Sequence, residues 1–321
     1  MTATPSCQYT PLVHLTAVEV SGEDRLTFLQ GQLTNDTRLL TPTLSQLTGY
    51  CTPKGRLLAL LRLVEIDEQR LLIILPQAIA ETTLKRLRMF IMRSKVTIAA
   101  VADTPYQLYG LWGEQAKTAL TALMPTLPET DNASMSHDGI TAIHLPAAQP
   151  RYLLAVDTRT TNLNTLQQQC TAAAVNAWTH LDIDAALPEI NSQTSEAFVP
   201  QMVNLQLLDG VNFKKGCYTG QEVVARMQYL GKLKRRMYRA HCTNTTTEPQ
   251  TGDELASPLS ESGQGAGKIV SVAKSEMDGY ALLVVLESVI AEAPAATAAI
   301  TLVNDSHATI EILENPYPFN D

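Results

Sequence analysis

The chain has 321 residues, 45% of them hydrophobic and 17% charged, enough apolar material for two or three packed domains and too much for a disordered chain. At this length about 75% of the unfolded surface can be buried on folding, so no covalent staple is needed. Five cysteines without a C-x-x-C pair argue against a disulfide framework or a self-contained zinc finger, and the expected location is a reducing cytoplasm. The first Lys or Arg is Arg25, which argues against a signal or transit peptide, and no apolar run approaches the roughly 20 residues of a membrane span, so no membrane partner is expected.

In chain order, Leu15 to Val20 reads as a strand, Gly22 ends it, and Asp24 to Leu33 reads as a helix with Leu26, Leu29 and Leu33 on one face. Strands follow at Gly55 to Ile66 and Arg70 to Leu75, then a helix from Ala80 to Met92 with Leu84, Leu87 and Ile91 at helical spacing. The pattern then returns. Tyr106 to Trp112 is a strand, Gly113 breaks it and Ala116 to Leu123 is helical, followed by strands at Ile140 to Leu145 and Tyr152 to Val156 and a helix near Thr161 to Ala174. This is a duplicated α+β unit: two ferredoxin-like lobes, with a cleft between them as the expected ligand site. From Lys268 onward the pieces are short and strand-like, at Lys268 to Ala273, Tyr280 to Leu286, Ala299 to Val303 and Ala308 to Leu313, and predict a small C-terminal β-barrel. The expected domains are a discontinuous lobe of residues 1–45 and 106–232, a second lobe of residues 46–105, and a barrel of residues 233–321. The Gly263, Gly265, Gly267, Lys268 cluster is not a phosphate loop: Ser262 and Ile269 stand where Gly and Ser or Thr are needed, and no helix follows.

Net charge is −8, yet positive charge is gathered. Residues 85–95 and 212–241 hold thirteen of the 24 basic residues and one acid, Glu222, of 32. Such runs suit an anion, whether a polyglutamate tail, a phosphate or an RNA backbone, and suit equally the solvated faces of a helix and a strand. The most pointed stretch runs from Lys214 to Arg226, K-K-G-C-Y-T-G-Q-E-V-V-A-R. Thr219-x-x-Glu222 has the form of a capping box, with Val223 to Tyr229 as its helix. Cys217 just before a helix N-terminus, beside Lys215, is a candidate nucleophile or cluster ligand, and the alternative is a buried structural cysteine in a tight turn.

That stretch closely resembles the signature of the YgfZ family, folate-dependent proteins of iron–sulfur cluster assembly that also affect tRNA modification. The family is similar in fold to the aminomethyltransferase, or T-protein, of the glycine cleavage system. The resemblance extends along nearly the whole chain: V-S-G-E-D-R-L-T-F-L-Q-G-Q-L-T-N-D from Val20 to Asp36, M-R-S-K-V from Met92 to Val96, and I-D-A-A-L-P-E-I from Ile183 to Ile190. It implies tetrahydrofolate, or a one-carbon derivative, as cofactor. The pterin-recognising carboxylate falls at Asp184, one methylene shorter than the Glu of the T-protein E-A-G element, and Ala186 replaces its Gly. A folate-contacting Trp falls at Trp178, and a second falls near Leu15, where stacking is lost. Gln201, Asn204 and Arg226 are further candidate ligand contacts. Asp36, Lys95 and Lys214 are candidate contacts for an anion or a partner, and Cys217 with Lys215 form the reactive pair. The implied partners are iron–sulfur client enzymes such as a tRNA methylthiolase, with a weak RNA contact through the basic runs. An alternative reading is a tetrahydrofolate-dependent aminomethyltransferase, against which the K-G-C-Y-T-G-Q-E signature speaks, since T-proteins lack it. Whether the chain turns over a substrate is left open by these residues.

Overall fold

A computed structural model describes residues 7–231, 233–261, 263, 265–275, 278–294 and 299–319; Lys232 and Ser262 lie outside the described residues. The chain forms two compact units. The first comprises Met1–Tyr50, Ala59–Val175 and Lys214–Tyr218; the second comprises Cys51–Leu58, Asn176–Phe213 and Thr219–Asp321.

The fold is α+β, and the duplication is visible in strand order. One five-stranded sheet runs Gln46–Cys51, Leu57–Asp67, Arg70–Pro76, Leu15–Ser21, Thr97–Ile98. A six-stranded sheet runs Ser134–His137, Ile140–His144, Arg151–Asp157, Tyr106–Trp112, Gln8–Pro11, Thr171–Ala172. Leu15–Ser21 and Tyr106–Trp112 occupy the same place in the two orders, each followed in sequence by a short helix, Arg25–Gln30 or Ala116–Thr121. Gly22 and Gly113, which end these strands, both have φ +109, a conformation that side chains with a Cβ avoid. A Cβ on Gly22 would lie 2.1 Å from the Lys95 carbonyl oxygen. In Arg70–Pro76 every residue after Arg70 is buried, as is all of Arg151–Asp157, which is why these strands read as unbroken apolar runs rather than alternating ones. Helix Gln77–Arg88 covers its sheet with Ile79, Ala80, Thr83, Leu84 and Leu87.

Several boundaries move. The helix expected over residues 161–174 is Asn164–Gln169, because Thr171–Ala172 leave it to join the sheet. Strands Gln46–Cys51 and Ser134–His137 carry too many polar or small residues to stand out in sequence. Cys7 and Cys170 form a disulfide, which the odd cysteine count argued against. Gln8 pairs with Thr171 in parallel register, so the two preceding cysteines lie side by side across 163 residues of sequence. Both join the core of Leu111, Leu120, Tyr152, Leu154 and Leu166.

The C-terminal sheet has the order Thr301–Leu302, Glu254–Ala256, Gly267–Lys274, Tyr280–Glu287, Arg235–Thr243, Thr309–Leu313. It curls so that its ends meet, the Ile310 N–H donating to Ile300 O at 3.0 Å. The inward face, including Tyr238, Leu255, Ile269, Leu282 and Val284, forms the barrel core. The glycine cluster lies at its corner, and Lys268 Nζ donates to Gly252 O at 2.9 Å, as befits a barrel strand. No helix among the described residues is long and apolar enough to cross a membrane.

Candidate functional site

The signature segment begins in the first unit as an irregular loop and ends in the second as helix Gln221–Tyr229. The expected capping box does not form: the N-cap is Gly220, with φ +85 and no side-chain cap bond. A Cβ at Gly220 would lie 2.4 Å from Thr52 O, so close backbone approach claims the position that Thr219 was expected to prepare.

In the loop, burial alternates sharply. Lys215 is 5% exposed and Tyr218 8%, whereas Lys214, Gly216 and Cys217 are exposed. Lys215 Nζ donates to the carbonyl oxygens of Gln30, Leu33 and Asn35 at 2.7, 2.5 and 2.9 Å. The Tyr218 ring centroid lies 5.0 Å from the same nitrogen. Burial pulls the Lys215 ammonium down to about 8, while the nearby Asp36 charge acts against that pull. Among the three free cysteines, Cys51 and Cys242 are buried, and burial pushes their thiols up to about 12 and about 11. Cys217 alone of the three presents its sulfur to solvent.

Asp36 is buried and its carboxylate is taken by Arg38, with Nη2 at 2.6 Å and Nε at 2.9 Å. Hydrogen bonds from Arg38 hold its carboxyl at about 2. Lys95 is exposed and paired with Glu23 at 2.8 Å. Leu15 opens strand Leu15–Ser21, half-buried.

In the second unit, Trp178 is buried. Asp184 is not: its side chain is 56% exposed and bonds Arg239 Nη2 at 2.6 Å. The carboxyl of the same element that stands above its ordinary range is half-buried Glu189, pushed up to about 7 by desolvation and by the charge of Asp182. Asn204 is fully buried with φ +57, and its Nδ2 donates to Met237 O at 2.8 Å and to the Tyr317 hydroxyl at 3.3 Å, which ties it to the barrel and tail. Arg226 is exposed on helix Gln221–Tyr229. Gln201, 2% exposed, donates from Nε2 to Val224 O at 2.7 Å, and its Oε1 has no hydrogen-bond partner among the described residues.

A cavity of about 1710 Å³ opens in this unit, lined by residues that include Arg56, Gln201, Gln206, Phe213, Met227 and Lys234. Gln206 Oε1 is a second buried acceptor without a partner there. Two of the cavity's cations are matched by acids, Arg235 with Glu287 at 3.1 Å and Lys268 with Glu254 at 3.4 Å. Of the expected ligand contacts, the cavity takes in Gln201; Trp178, Asp184, Asn204 and Arg226 do not line it. Gln206, Arg56 and Glu189 escaped the sequence reading, since isolated Gln, Arg and Glu residues have no spacing signal and only tertiary burial distinguishes them.

The tRNA-modifying protein YgfZ of Photorhabdus laumondii is 35% identical over 272 residues, covering 84% of this chain and 82% of its own. Those of Colwellia psychrerythraea and Yersinia pseudotuberculosis are each 33% identical, covering 79% and 94% of this chain and 78% and 89% of their own. The chain belongs to the YgfZ family. No protein-family model matches it. Among solved structures, the glycine cleavage system aminomethyltransferase T of Bartonella henselae superposes with a TM-score of 0.71 at 16% identity, covering 88% of this chain and 79% of that one. This YgfZ-family chain therefore has the aminomethyltransferase fold.

Proposed function

We propose that this YgfZ-family protein is a folate-binding factor in tRNA modification that supports an iron–sulfur client enzyme such as a tRNA methylthiolase, with Cys217 as its reactive group. The observation that carries this reading is the exposed Cys217 at the centre of the family signature, while the other two free thiols are sealed in the core. Support for the tRNA role comes from the relatives, which are named tRNA-modifying proteins. Support for the folate comes from the fold and from the cavity. A pterin edge carries N–H donors, and Gln201 Oε1 and Gln206 Oε1 are buried acceptors in want of them. Lys234 and Arg56 bring positive charge for the carboxylates of a folate tail. When bound, tetrahydrofolate supplies a carrier for a one-carbon unit. The chain's own part is to orient that ring through the two amides and to exclude water with Phe198, Met202 and Val211. Asp184 fits a pterin less well than its place in the sequence implies, because accepting a ligand there means giving up Arg239.

Two experiments test the proposal. Tetrahydrofolate is titrated into wild type, Gln201→Leu and Asp184→Ala; loss of binding in Gln201→Leu with retention in Asp184→Ala is expected, and equal binding by all three removes the cavity as the folate site. Cys217→Ala is introduced into a deletion strain and tRNA methylthiolation measured; activity equal to wild type would end the role of the thiol. The second reading, aminomethyl transfer, rests on the fold alone, and robust formation of methylene-tetrahydrofolate from an aminomethylated lipoyl carrier would favour it.

A further inference from the structure

We infer that Lys215 is a positioning residue, one of two pegs with Tyr218 that mount the Cys217 loop and hold Gly216 and Cys217 out to solvent. The inference rests on the reading of Cys217 as the reactive group. Lys215 and Tyr218 are the buried residues on either side of Cys217, and the two residues between Lys215 and Tyr218 are the exposed ones. A Cβ added at Gly216 would meet nothing within 4 Å, so the raised part of the loop touches no neighbour there.

The Lys215 peg is complete. An ammonium has three N–H donors, and three carbonyl oxygens receive them, at 2.7, 2.5 and 2.9 Å. Gln30 ends helix Arg25–Gln30, so its carbonyl is among those a helix leaves without an internal partner. Asn35 is itself fixed, its N–H to Thr48 Oγ1 at 3.0 Å and its Nδ2 to Leu47 O at 2.9 Å, so the peg is driven into the strand Gln46–Cys51. An amine acts as base or nucleophile through a lone pair. The Lys215 nitrogen is buried among three carbonyl oxygens that take up its bonding directions, so no substrate reaches it, and in this reading the catalytic role expected for Lys215 beside Cys217 gives way to a mechanical one. The charged groups acting on the ammonium are Asp36 and Arg38, which oppose one another.

A nitroxide attached at Cys217 reads the mount directly, since Cys51 and Cys242 are buried and escape labelling in the folded protein. The wild-type spectrum is expected to show the label's own linker motion on a backbone held still by the two pegs. Lys215→Met and Tyr218→Ala are expected to give a several-fold faster label motion, with circular dichroism unchanged. Lys215→Arg is expected not to restore the wild-type spectrum, because a planar guanidinium cannot aim three N–H groups from one atom at three converging carbonyls. In wild type, acylation of Lys215 by an N-hydroxysuccinimide ester is expected to run at least about tenfold slower than that of exposed Lys214, because a hydrogen-bonded ammonium must open before it reacts. A Lys215→Met protein that folds and leaves the label moving as in wild type overturns the inference. So does a Lys215 that acylates as fast as Lys214, a measurement that needs no variant to fold. Neither readout measures client activity, so a failure here is separate from a failure of Cys217→Ala to impair the client.

Discussion

Glu189 gives the sharpest test of how the second unit handles charge. Its carboxyl stands at about 7 in the folded protein against an ordinary 4.5, through burial first and the charge of Asp182 second. Between those two values the folded state binds a proton that the unfolded state has released. Stability therefore falls as pH rises through this window and levels off above it. A gap from 4.5 to about 7, at 1.36 kcal/mol per unit, sets a ceiling of about 3 kcal/mol, and partial solvent contact of the side chain lowers the expectation to about 1–3 kcal/mol. Glu189→Gln removes the titration while keeping the shape. Denaturant unfolding of both proteins at several pH values between 4 and 8 is the assay. The difference curve should be near zero at pH 4 and rise in favour of the variant to its plateau above pH 7. Asp182→Asn should move the wild-type midpoint down. A difference curve that is flat across this range would refute the assignment, and a curve of opposite sign would mean that the carboxylate is stabilised by partners rather than penalised by burial.

Other expectations follow from the same geometry. An aromatic disulfide reagent should titrate one thiol in the native protein, three after denaturation without reductant and five after reduction, because Cys217 is exposed, Cys51 and Cys242 are buried, and Cys7 is joined to Cys170. Asp36→Asn should cost about 1–2 kcal/mol at pH 7. Because the folded carboxyl stands at about 2 against 3.8, this contribution is fully present above pH 3.8 and lost as pH falls towards 2; a variant as stable as wild type at pH 7 would contradict it. Gly220→Ala should destabilise the second unit by several kcal/mol, about 1–3 from the φ +85 conformation and more from the Cβ placed 2.4 Å from Thr52 O, as read from its melting temperature.

The duplicated lobes were legible because each repeats a strand, a closing glycine and a short helix, and Gly22 and Gly113, which close those strands, both hold φ +109. The signature was legible as local chemistry, and Cys217 is exposed within it. The capping box was not: Thr219 and Glu222 have the right spacing, but a sequence cannot show that Thr52 O crowds residue 220 and makes glycine the cap. The motif points to Asp184 as the pterin carboxylate, whereas its ion pair with Arg239, distant in sequence, is visible only in the structure.

By itself the sequence settled what is encoded over short distances: apolar runs, chain reversals, a clustered positive charge and a thirteen-residue signature around a thiol. Tertiary structure alone decided which polar groups are spent and which are open. Lys215 has its protons engaged by carbonyls 180 to 185 residues away, Cys7 meets Cys170 across a parallel strand pair, and Gln201 is buried with one oxygen unanswered among the described residues. The physical reason is that hydrogen bonding and desolvation depend on what surrounds an atom in space, and a residue's neighbours in sequence supply little of that surrounding.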